Sequence, residues 1–173
     1  MLWLQNGSPK PRTCPIVVVL DHRNQDCLAV LAYQTSVFEH LKTLDSFQFD
    51  RVVYLTDGAV QQNKNCSNFL NLCSHEKLFG VPAAWHFFAT AHGKGTCDGL
   101  GASVIKRKAK ITSAATFYQH VQLPNVTLLF CTDEKVEVVP SRVANQKAHR
   151  LPGTHSFHFI KPVGQDSPRA VRA

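Results

Sequence analysis

The sequence predicts an α/β fold. Three short apolar runs, PIVVVL (15–20), RVVYLT (51–56) and AWHFFAT (84–90), are rich in β-branched or aromatic residues, as strands are. A segment of helical character follows each run, and Gly, Pro, Asn and Asp punctuate the gaps. Strand–helix units in succession imply parallel pairing, at least between the second and third strands.

The elements can be justified in order. Residues 1–14 carry Gly7, Pro9 and Pro11 and read as an irregular lead-in. PIVVVL is wholly apolar, as expected of a strand buried on both faces, and DHRN after it is a turn. Asp26 is a good N-cap, and Val30, Leu31, Val37, Phe38, Leu41 and Leu44 then recur at helical spacing. RVVYLT is expected to be a second buried strand, ending at Asp57-Gly58. Cys66, Phe69, Leu70 and Cys73 mark one face of a helix over 64–78, which Gly80 and Pro82 stop. After the third strand comes a glycine-rich stretch and a helix over 98–110. TSAATFYQHV then suits a short helix, NVTLLFC (125–131) a strand and KVEVVP a further strand. From Ser141 the chain reads as basic, His-rich and irregular, with a frayed tail. The expected organisation is a lead-in over 1–14, an α/β domain over 15–131 and an irregular basic extension over 132–173.

Composition narrows the function classes. At 173 residues, 44% hydrophobic and 18% charged, the chain suits one globular domain and argues against wholesale disorder. A net charge of +7 suits a polyanionic partner such as nucleic acid. No run approaches the roughly 20 apolar residues that span a bilayer, and the opening MLWLQNGSPKPR does not read as a secretory signal. The expectation is an intracellular protein with reduced cysteines, in which the sequons at Asn65 and Asn125 carry nothing.

The stretch TAHGKGTCDGLGASVIKRKA (90–109) sets an acid among four glycines and then turns basic. A Walker phosphate loop fails there: Phe88 stands at its first glycine position, and Gly95 replaces the hydroxyl residue after Lys94. A dinucleotide fingerprint fits Gly93 and Gly95 but then meets Asp98, a negative charge where pyrophosphate approaches. Two readings stay open. Asp57, at the end of a strand, and Asp98, at the start of a helix, could share the carboxyl edge of a parallel sheet. There they could hold Mg²⁺ or Mn²⁺ for phosphodiester chemistry. Alternatively, Asp57-Gly58 is a plain turn and Asp98 a helix cap. Under the first reading, Lys106 and Arg107 on the basic helix would meet phosphates.

The segments YLTDGAVQQNKNCSNFLNLCSHE, AAWHFFATAHGKGTCDGLGASVIKR and RLPGTHSFHFIKP resemble a group of transposon-derived animal proteins, over residues 16–161. The resemblance implies the ribonuclease-H-like core of DDE/D transposases, a metal-dependent DNA strand-transfer fold. By it, Asp57 matches the second catalytic acid and Asp98 the third. Thr56 stands for the family's serine, Asn63 for its aromatic residue and His155 for its arginine. The first two strands of that core, and the first acid with them, have no counterpart here; Asp21 matches a position away from the active edge. The chain therefore reads as a truncated, catalytically incomplete copy. Its first strand must either re-pair beside 51–56 or stand exposed, unless a partner chain supplies what is missing. A nuclear location, rather than a cytoplasmic one, and DNA as partner follow from the same resemblance. The readings from another class are a non-catalytic nucleic-acid-binding module and a structural remnant of a transposable element.

The remaining candidates weigh less. Cys66, Cys73 and His75 could offer zinc ligands, but no CxxC pair is present and both cysteines lie on the helix's apolar face, so zinc is not expected. His92 either assists the metal or phosphate site or packs in the turn. Lys64 and Lys94 are candidate phosphate contacts. His86, alternating with Trp85 and Phe87, reads as a core histidine. A Cys97–His92 nucleophile lacks a third, orienting group.

Overall fold

The computed structural model describes residues 2–3, 12–24, 26–44, 49–56, 64–88, 99, 113–138, 152–163 and 168–172. The glycine stretch and the helix expected over 98–110 fall outside the described residues, apart from Gly99. The chain is mixed α/β.

A two-residue ladder, β1 (Leu2–Trp3) antiparallel to β2 (Arg12–Thr13), spans the lead-in. The apolar run then forms β3 (Ile16–Leu20). Asp26 caps α1 (Cys27–Lys42): its carboxylate accepts from the Leu28 and Ala29 N–H groups at 3.0 Å each. Next come β4 (Val52–Thr56), α2 (Cys66–Cys73, capped by the Asn65 side chain) and α3 (His75–Phe79). The single helix expected over 64–78 is thus two, divided at Ser74. Gly80 ends α3 at φ 83°, a left-handed conformation that glycine adopts without steric cost. The later elements are β5 (Ala83–Phe87), α4 (Ala114–His120), β6 (Thr127–Cys131) and α5 (Asp133–Val138). A short 3₁₀ turn (Thr154–Ser156), β7 (Phe157–Pro162) and β8 (Pro168–Arg172) complete the order.

The main sheet has the order β4-β5-β7-β8. As expected, β4 and β5 are parallel, with Val52 opposite Ala83 and Thr56 opposite Phe87; β7 and β8 add antiparallel. A separate pair joins β3 to β6 in parallel, Ile16 opposite Thr127. Helix α1 lies between these layers. Val30 joins the main-sheet core with Phe69, Leu72, Trp85, Phe87 and Ile160. Leu31 and Ala32, on the other side, join Cys131 and Val136 against Val18 and Leu20. A helix loaded on two sides must be apolar on two sides, which is why α1 buries eight of its residues.

Four expectations need correction. β3 neither joins 51–56 nor stands unpaired, because β6 covers its edge. β4 is not buried on both faces: Val53 is 45% and Leu55 59% exposed, since one face of the main sheet packs on the helices and the other does not. Residues 135–138 of KVEVVP are not strand but belong to α5, and 139–140 lie outside the described residues. Asp133 and Glu134 occupy the first turn of α5, where the helix dipole favours acids, and buried Val136 anchors it toward α1. The run from Ser141, expected to be irregular and frayed, supplies two strands of the main sheet in its described part. A register shift between Phe157 and Phe159 lets Phe157 and Ile160 both reach the core although they stand three apart.

Candidate functional site

The carboxyl edge of the β4–β5 pair is where the sequence places its chemistry. Thr56 ends β4, and its backbone oxygen accepts from the Phe88 N–H at 2.9 Å, so the two strands stay joined to their tips. The Trp85 indole N–H donates to Thr56 Oγ1 at 2.9 Å, which orients the last side chain before Asp57. Lys64 returns to this edge. It is 5% exposed, and its Nζ lies 5.0 Å from the centroid of the Phe87 ring, within cation–π range. Burial pushes its pKa down, because the charged form is the one that loses hydration. A lysine read from sequence as a surface phosphate contact is therefore a largely covered charge. Asp57, His92, Lys94, Asp98, Lys106 and Arg107 all lie outside the described residues.

Toward the amino end of the same strand pair lies a buried polar network. Tyr54 Oη and His75 Nε2 are 2.8 Å apart, and His75 Nδ1 is 2.7 Å from the Val81 carbonyl. The carbonyl can only accept, so Nδ1–H donates to it and Nε2 accepts from the tyrosine hydroxyl. Both ring nitrogens are thus engaged, and His75 has no lone pair left for zinc. Burial lowers the His75 pKa, against a smaller opposing effect of the Val81 bond. Burial raises that of Tyr54, and Tyr33 raises it further. Phe38 and Phe79, stacked at 4.4 Å, close the network from above. Cys73 is buried and Cys66 half-buried on α2, and both are thiols, as are Cys14, Cys27 and Cys131. Among the described residues no three His, Cys, Asp or Glu side chains converge as a metal site.

His86 corrects its expectation. Alternation puts Trp85 and Phe87 on the core face and His86 on the opposite, exposed one, with its ring 4.3 Å from that of Phe159.

Sequence reasoning missed a second cluster, at the carboxyl edge of the β3–β6 pair. His22 Nδ1 donates to the Asp133 carboxylate at 2.6 Å across a cleft of about 540 Å³ that Asp21, Arg23 and Glu137 also line. The Asp21 N–H is held by the Cys131 carbonyl at 3.1 Å, so Asp21 belongs to this cleft. The signal was present in DHRN, an acid and a histidine directly after a strand, but the partner of His22 lies far along the chain.

Residues 1–171 match a domain of unknown function, DUF8701. This chain belongs to the DUF8701 family. The match runs through the C-terminal strands as well as the lead-in, and DUF8701 membership brings no reaction with it. No curated protein and no solved structure matches the chain.

Proposed function

We propose that this chain is a transposase-derived, ribonuclease-H-like domain that binds DNA and lacks a complete set of catalytic acids. The observation that carries the reading is Lys64. Lys64 stands at the carboxyl edge of two parallel strands, where its positive charge favours an anion approaching that edge. The same charge opposes a second cation, so it favours holding a phosphodiester over assembling a two-metal centre. The net charge of +7 acts in the same direction.

The order β3–α1–β4–α2–β5, with β4 and β5 parallel, supports descent from a ribonuclease-H-like core without its first two strands. β4 is the outer strand of its sheet among the described residues, and a partner chain carrying the absent strands would add there. Asp57 and Asp98, two acids of an ancestral three, would hold Mg²⁺ or Mn²⁺ weakly. A nuclear location goes with this reading.

The test is binding of a fluorescent DNA duplex by the purified chain between about 50 and 200 mM salt. The affinity should fall linearly on a log–log plot. Lys64→Gln should weaken binding at low salt, with thermal melting showing that the variant folds. Salt-independent binding, or none, defeats the DNA reading. Metal-dependent nicking by the chain, lost in Asp57→Ala, defeats the claim of catalytic incompleteness.

A further inference from the structure

Among the described residues, one face of the main sheet carries exposed side chains. The helix-covered side takes Trp85, Phe87, Phe157 and Ile160 into the core. On the other side the register sets Leu55 beside His86, and His86 beside Phe159, in a single cross-strand row. Leu55 is 59% exposed, and Phe88, one position past β5 on the same alternation, is 41% exposed. The His86 and Phe159 rings already touch, with centroids 4.3 Å apart. Exposed Lys161 lies two residues along β7 from Phe159, on the same face.

The charge of this sheet is one-sided. The strands VVYLT, AAWHF, FHFIKP and PRAVR contain no Asp or Glu, and His86 and Lys161 stand on the exposed face. The described acids stand elsewhere, on α1, α3, α5 and the connections. A sheet face with aromatic rings, a lysine and, among the described residues, no acid suits a ligand that has flat π-faces and negative charge. Splayed nucleotides have both; a duplex hides its base faces, and a second copy of this basic chain would meet like charge.

We propose that this face is a stacking platform for single-stranded nucleic acid, with His86, Phe88 and Phe159 receiving bases and Lys161 a phosphate. The proposal rests on the nucleic-acid reading above but uses a different surface from the Lys64 edge. Residues two apart on a strand are about 6.6 Å from each other, so His86 and Phe88 offer successive bases separate places.

The experiment is anisotropy with a labelled oligothymidylate of about 12 nucleotides, within the site size of one such module, against a duplex of equal length. Vesicles of anionic phosphatidylserine form a third arm. The oligothymidylate should bind more tightly than the duplex. Phe88→Ala and His86→Ala, both surface changes, should each weaken it about fivefold or more without altering thermal melting or duplex affinity. Unchanged oligothymidylate binding in both variants, with duplex binding intact, overturns the platform and leaves the Lys64 edge standing. Loss of all oligonucleotide binding by the wild-type chain overturns both readings. Binding to vesicles in place of oligothymidylate makes the face a membrane surface and overturns the platform.

Discussion

The two parallel strand pairs, β3–β6 and β4–β5, end in opposite chemistry. Beyond β3 and β6 the chain turns polar and stays wet: His22 is 19% and Asp133 59% exposed at their side chains, and Asp21 and Glu137 face the same open cleft. At the ends of β4 and β5 the described side chains are buried: Lys64 is 5% exposed over the Phe87 ring, and Trp85 reaches Thr56. Strand direction and register are alike in the two pairs. What differs is which described residues stand at each tip. A parallel edge therefore offers a location, and the residues at its tip decide whether it becomes an acidic cleft or a buried cation.

That contrast can be broken or sharpened by substitution. The largest effect should come from the covered side. Trp85 is 1% exposed and ties β5 to Thr56, so Trp85→Ala should cost about 3–5 kcal/mol in urea unfolding. On the other side Val136, 2% exposed, seals the smaller β3–β6 layer, and Val136→Ala should cost about 2 kcal/mol. A larger loss for Val136→Ala than for Trp85→Ala would show that the small layer, not the main sheet, holds the fold.

The His75 network should make the fold's stability pH-sensitive. Its folded pKa is lowered, so the unfolded chain takes up the proton first as pH falls. The stabilisation is full above the unfolded value of about 6.5 and is lost progressively below it. His75→Gln should flatten that acid limb in melting curves recorded across the range; an unchanged limb would assign it to other groups. Tyr54 behaves in the opposite sense. Its folded pKa is raised, so stability should fall once pH passes the unfolded value of about 10. Tyr54→Phe should remove that alkaline loss.

The smallest effect should be at the open cleft. The His22–Asp133 pair is short but half in water, and Asp133→Asn should change stability by only about 0–1 kcal/mol. A drop of several kcal/mol would mean that this pair clamps α5 to the end of β3 and that the cleft is structural.

Much of the fold was legible because its local signals agree. Asp26 announced α1, and its carboxylate holds two N–H groups there. Ser113 and Asn65 cap their helices in the same way. The β-branched and aromatic runs became β3, β4 and β5. The readings that failed were those that needed a neighbour. Valines in KVEVVP favoured a strand by propensity, but first-turn acids and a place for Val136 against the α1 layer made a helix; TDE before it was the neglected signal. The segment 157–162 reads as irregular because its buried residues are three apart, a spacing that only the register shift beside β8 makes strand-like. Of the candidate site, Lys64 was legible as a residue but not as a buried one, and His22 was legible as a turn residue but not as the partner of Asp133.

By itself the sequence determined where helices begin, which runs extend, that β4 and β5 lie parallel, and that the surface is basic. These follow from short-range rules: a cap bonds within three residues, and a side-chain period is complete within one element. Only the tertiary structure decided that β3 takes β6 as its neighbour, that 157–172 adds two strands to the main sheet, and that Leu55, His86 and Phe88 are left exposed on one face of it. Apolar runs express a demand for burial and say nothing of who meets it, because the hydrophobic effect depends on area removed from water and not on the identity of the partner.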